Sequence, residues 1–146
     1  MKILVATDGS VYSSAAVDHL CHRVLKPGDE VLTVSVVEAM AHVVGAPFGV
    51  VDEYYSNVMA ERNETAEKTA HAAAAKIGSA VAGVSVSENV LLGSPARAIV
   101  EEAERFGAEL IVVGSHGAGF WERMLIGSVS QAVTSHAACS VLVVRK

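Results

Sequence analysis

The residues best suited to chemistry in this 146-residue chain carry few functional groups of their own. Gly114-Ser115-His116-Gly117 is followed by nine residues and then by Gly127-Ser128-Val129-Ser130. Gly114 and Gly117 let the backbone come close to a ligand and adopt conformations closed to other residues, so that amide hydrogens point inward as an anion nest. Gly127-Ser128 opens a helix whose first amides have no partner inside it and whose positive end favours phosphate. Ser128 and Ser130 add hydroxyl donors. One turn glycine beside a capping serine is ordinary loop punctuation, but four such features in register point to phosphate binding.

Two standard phosphate motifs do not account for the stretch. No G-x-x-x-x-G-K-[ST] occurs, and Gly117-Ala118-Gly119 lacks the third glycine of the dinucleotide fingerprint. Asp8, beside Gly9, reads either as a turn residue or as a carboxylate at a strand end. In the second role it contacts a ligand. His116 either donates to phosphate or shapes the loop. No dyad of base and nucleophile and no basic cradle for phosphoryl transfer is visible, so no catalytic residue is assigned. An H-x-G-H signature of nucleotidyltransferases is absent. Arg123 is the one cation in the spacer, where Phe120, Trp121, Met124 and Leu125 read as core or subunit contact. His19, His22, His42, His71 and His136 show no paired ligand spacing for zinc.

These residues need strands and helices to position them. Lys2 to Thr7 is a β-branched run ending at Asp8-Gly9-Ser10, followed by Ala16, Leu20, Val24 and Leu25 at helical spacing. Pro27-Gly28 stops that helix before a nearly continuous apolar run, Val31 to Val37, of the kind buried on both faces. Glu38 to Val50 is an apolar loop holding Met40, Val43, Val44 and Phe48. A stripe from Val51 through Tyr54, Val58, Ala66 and Ile77 to Val81 marks a long helix with Glu61, Arg62, Glu64, Glu67 and Lys68 off it. Val84 to Leu92, Glu109 to Val113 and Ser140 to Arg145 are further strands. Between the first two of these, Ser94 caps a helix with Pro95 at its first position. Alternation of this kind predicts one α/β domain over residues 1–146: a doubly wound, Rossmann-like, five-stranded parallel sheet with helices on both faces. Its ligand crevice lies beyond the strand carboxyl ends, after Thr7, Val37, Leu92 and Val113.

Composition narrows the function. With 11 Lys+Arg against 16 Asp+Glu and a net charge of −5, there is no broad basic face for a nucleic-acid backbone. The apolar run Ile3 to Ala6 is too short for a signal-peptide core or membrane span, so a cytoplasmic location without membrane insertion is expected. Cys21 and Cys139 have no paired spacing and read as reduced core residues.

The chain resembles the universal stress protein family, whose ATP-binding members carry G-x-x-G, nine residues, then G followed by Ser or Thr. The resemblance extends to Ala6-Thr7-Asp8-Gly9-Ser10, to Gly93-Ser94-Pro95-Ala96 and to the segment from His136 to Val144. It implies a fold like that of the adenine nucleotide alpha hydrolases. It also implies ATP, or ADP or AMP, with adenine near Thr7, Asp8 and Val36, ribose near Asp8 and Gly93, and phosphates against Gly117, Gly127, Ser128, Val129 and Ser130. Gly114 and His116 line the same crevice, and magnesium would reach Asp8 indirectly. Many members carry arginine directly after the second glycine, where this chain has Ala118. The resemblance further implies a homodimer paired through Val141 to Val144 and a nucleotide-dependent regulator of an unidentified protein in the stress response. Alternatives are a dimerisation module of the same fold without nucleotide dependence, or a slow ATPase.

Overall fold

The computed structural model describes residues 1–39, 50–117 and 126–146, with no side-chain placement for residues 50–52. The expectations placed on Met40, His42, Val43, Val44 and Phe48, and on spacer residues 118–125, lie outside the described residues. In chain order the elements are β1 (Lys2–Ala6), α1 (Val11–His19), β2 (Glu30–Val37), α2 (Val50–Ala80), β3 (Ser85–Leu92), α3 (Pro95–Phe106), β4 (Leu110–Gly114), α4 (Ser128–His136) and β5 (Ser140–Val144). All neighbouring strands pair in parallel, in the order β3-β2-β1-β4-β5. The doubly wound α/β expectation therefore holds. The order reverses between β1 and β4, where Ile3 pairs with Leu110 and Val5 with Val112.

Side chains alternate across the sheet, as a period of two requires. Ile3, Val5, Val31 and Val112 face one helical layer, against Ala16 and Val17 of α1 and Ala73 and Ile77 of α2. Leu4, Leu32, Val34, Ile111 and Val113 face the other, against Ile99 and Ala103 of α3 and Val133 of α4. Ile3, Leu4, Leu20, Ile77 and Ile111 are fully buried, each contributing roughly 1.5–3 kcal/mol relative to exposure. With both faces of the sheet covered, near-continuous apolar strands follow.

Local chemistry departs from expectation at two helix ends. The spacing of Ala16, Leu20, Val24 and Leu25 reads as one α-helix, but α1 passes at Leu20–Val24 into a π-helical turn. The Leu25 amide donates to the Leu20 carbonyl at 3.1 Å, one residue further back than in an α-helix. Ser94 holds the cap position of α3 without a side-chain capping bond, whereas Ser10, which was not expected to cap, accepts from the Ser13 amide at 3.2 Å. Gly107 ends α3 in the left-handed region at φ 72°.

Cys21 is buried and Cys139 partly so, both as free thiols. Burial pushes each thiol above the ordinary cysteine value, which keeps the reactive thiolate scarce at neutral pH. A thiol-disulfide reagent at pH 7 should therefore label both cysteines in denaturant and neither at a free-thiol rate in the folded protein, as followed by absorbance. Among the described residues no helix is long and apolar enough to cross a membrane.

Candidate nucleotide cleft

At the point where the strand order reverses, the carboxyl ends of β1, β2 and β4 border a cleft of about 1000 Å³. Thr7, Asp8, Val36, Gly114, His116, Gly117, Gly127, Ser128, Val129 and Ser130 all line it. Ten of the eleven residues singled out from sequence are thus brought together. The eleventh, Gly93, does not line the cleft. It follows β3 at φ 134°, a backbone open to glycine, and its amide donates to the Val37 carbonyl at 3.0 Å.

The β1 end is held by a small alcohol network. Thr7 Oγ1 donates to Ser13 Oγ at 3.3 Å and accepts from the Gly9 amide at 3.4 Å. The Ser13 hydroxyl donates to the Ser10 carbonyl at 3.1 Å, and Ser13 is only 3% exposed. Asp8 Oδ1 accepts from the Ser10 amide at 3.0 Å, which fixes the carboxylate over the turn. Its Oδ2 faces Gly117 across the cleft, 3.0 Å from where a β-carbon there would lie.

On β2, the Val34 carbonyl accepts from the Thr7 amide at 2.9 Å and the Val37 carbonyl accepts from Gly93. Backbone groups alternate in direction along a strand, so Val36 points toward β1. The chain has already turned away there, between Thr7 and α1. Val36 therefore presents one N–H and one C=O side by side at the cleft, a donor-acceptor pair that suits the edge of a planar heterocycle.

The β4 side is built from the glycines, for a reason the sequence reading did not foresee. None of Gly114, Gly117 and Gly127 has positive φ, so the expected unusual conformations and the nest built on them are not what selects glycine. Contact selects it. A β-carbon on Gly114 would lie 2.6 Å from the Tyr12 carbonyl carbon, and one on Gly127 would lie 3.1 Å from Ser115 O. The two arms of the motif are clamped together: the Gly127 amide donates to Ser115 O at 2.6 Å. The Ser130 hydroxyl, 3% exposed, donates to Ser115 O at 3.0 Å and lies 3.1 Å from Gly127 O. Ser130 is thus a clamp rather than the hydroxyl donor to ligand expected from sequence. Ser128 is exposed and lines the cleft. Gly127 is the cap of α4 without a side-chain bond, so the amides of Ser128 and Val129 open the helix toward the cleft. His116 packs its ring on Tyr12, centroids 5.1 Å apart, with Nδ1 3.1 Å from Ser115 Oγ.

Sequence reasoning missed one wall. Glu61, Arg62, Thr65 and Thr69 of α2 line the same cleft with Glu38 and Ser13. Glu61 and Arg62 lie off the apolar stripe, which marks them as solvent face by pattern alone. The available signal was helix length: at 31 residues α2 outruns the strands it covers and stands beyond their ends. Among the described residues no cluster of three metal-ligating side chains occurs.

The family model described as "Universal stress protein family" matches residues 1–145. Universal stress protein MJ0531 of Methanocaldococcus jannaschii is 37% identical over 145 residues, covering 99% of this chain and 82% of the relative. Among solved structures, hypothetical protein MJ0577 superposes with a TM-score of 0.81 at 27% identity, covering 99% of this chain and 95% of that one. A universal stress protein family protein from Arabidopsis thaliana, solved with AMP bound, shares the fold at a TM-score of 0.65 and 20% identity, covering 100% of this chain and 92% of that one. A match across nearly every residue leaves one assignment: the chain belongs to the universal stress protein family.

Proposed function

We propose that the cleft binds an adenine nucleotide, with ATP the ligand that fills it, and that occupancy rather than turnover is its function. The observation that carries this reading is the pairing of two complementary ends in one cleft. The outward-facing Val36 backbone suits a base, and the opening amides of α4 with Ser128 suit phosphate. Asp8 lies between them, placed to accept from ribose hydroxyls. The residues fit magnesium only as an ion held chiefly by phosphate oxygens and water, which Asp8 would meet through water. Such an ion would offset phosphate charge. The AMP-bound Arabidopsis relative supports the choice of an adenine nucleotide.

Thermal unfolding tests this reading. A ligand bound only by the folded state raises stability by about 2.7 kcal/mol at a hundredfold excess over Kd. ATP should raise Tm and a pyrimidine triphosphate should not. Equal shifts with both, or none with either, would remove the base from the account.

The proposed regulator is a homodimer. β5 is an edge strand of the sheet, and Val141, Leu142 and Val143 on it are only partly buried. A bare apolar edge is a template for another strand, and a second copy of the chain is the occupant that removes it on both protomers. Light scattering at micromolar concentration should give twice the monomer mass, and Val141→Lys should lower it. A monomer for the unaltered chain would count against pairing here. Nucleotide occupancy would then set which regulated protein this dimer engages in the stress response.

A further inference from the structure

We propose that Arg62, on the α2 wall, is the cation that meets the phosphates of the bound nucleotide. The inference rests on the nucleotide reading above and adds to it the group that selects a charged ligand.

Thr33 Oγ1 on β2 lies 3.3 Å from the Ala70 carbonyl, His71 Nδ1 lies 3.1 Å from a Glu88 carboxylate oxygen, and Gly78 packs near Val86. Position falls along α2 as it rises along β3, so the helix runs antiparallel to the strands. Arg62 precedes Ala70 by two turns, about 12 Å along the helix axis. That carries it from the level of Thr33 to about that of Val37, the carboxyl end of β2, and it lines the cleft together with Gly117, Gly127 and Ser128.

Arg62 carries the only fixed positive charge among the described residues lining the cleft, against the carboxylates of Asp8, Glu38 and Glu61. Without a cation, that lining opposes an anionic ligand. Other basic side chains are already engaged: Lys68 with Glu64 at 2.6 Å, Lys76 with Asp18 at 2.5 Å, and Arg97 with Glu101 at 2.7 Å. Among the described residues Arg62 has no such ion pair. Its neighbours on the same helical face have no proton to give, because the Thr65 hydroxyl donates to Glu61 O at 2.9 Å and the Thr69 hydroxyl to Thr65 O at 2.8 Å. The guanidinium is therefore the donor this wall offers, and its planar fork matches phosphate oxygens.

Calorimetric titration of the unaltered protein, Arg62→Gln and Arg62→Lys with ATP and with adenosine tests the assignment. Arg62 is exposed, so both variants should keep the circular dichroism spectrum and Tm of the parent. The expected result is ATP binding weakened about tenfold in Arg62→Gln and partly restored in Arg62→Lys, with adenosine unchanged. The salt dependence of ATP affinity should also be shallower in Arg62→Gln. Equal losses for ATP and adenosine, or no loss for either, overturn the role of Arg62 while leaving the nucleotide reading standing. Failure of the unaltered protein to bind either compound overturns both.

Discussion

Replacing Gly117 by valine should raise the Kd for ATP by at least about 100-fold while Tm stays within roughly 2 °C of the parent. The backbone at Gly117 is open to any residue, since its φ is not positive. The residue is exposed, so little in the core resists a side chain. The obstacle lies in the cleft: a β-carbon would stand 3.0 Å from Asp8 Oδ2, and valine would add two methyl groups between the β1 and β4 ends. Binding and stability should therefore separate. Titration calorimetry reads the first and thermal unfolding the second. A variant that binds ATP normally would show that the phosphates pass elsewhere.

Gly114→Ala should behave in the opposite way. Its β-carbon would lie 2.6 Å from the Tyr12 carbonyl carbon and 2.8 Å from the Ser13 amide nitrogen. These are backbone atoms with no rotamer to change, so α1 must move off β4. Overpacking of this kind costs about 3 kcal/mol, which lowers Tm by roughly 10 °C in a chain of this size. The same displacement disturbs the Ser13 hydroxyl that holds Thr7, so affinity should fall along with stability. An alanine variant with the parent's Tm would mean that α1 is not seated as described.

These two glycines show how sequence and structure divide the explanation. The strands were legible because both faces are buried: Val31 to Val37 reads as a nearly continuous apolar run and falls within β2. The cleft was legible because glycine and serine mark the ends of β4 and the start of α4 whatever their reason for being there. The reason itself was not legible. Conformational freedom and close approach both select glycine, and only coordinates tell Gly107, which needs positive φ, from Gly114, which needs room. Ser130 shows the same limit. Its type suggested a donor to ligand, but its burial commits the hydroxyl to Ser115 O. Arg62 and Ser13 escaped notice because helical periodicity sorts residues into core and solvent faces and has no third class for a helix that overhangs a crevice.

The alcohol network at the β1 end makes the cleft stiff where the base and ribose would sit. Thr7, Ser10 and Ser13 satisfy one another and the turn amides, so a ligand meets groups already in place and little ordering is left to binding. Buried side-chain polar atoms without a partner are not found among the described residues. The outward backbone of Val36 and the opening amides of α4 stand apart from this. They leave hydrogen-bonding capacity facing the cleft, and they define the proposed nucleotide site.

Nucleotide binding there is tested most directly by calorimetric titration of the purified protein with ATP, ADP and AMP. The expected result is saturable binding of ATP with a Kd below millimolar and weaker binding of AMP as phosphates are removed. No heat of binding from any of the three at millimolar concentration would contradict it.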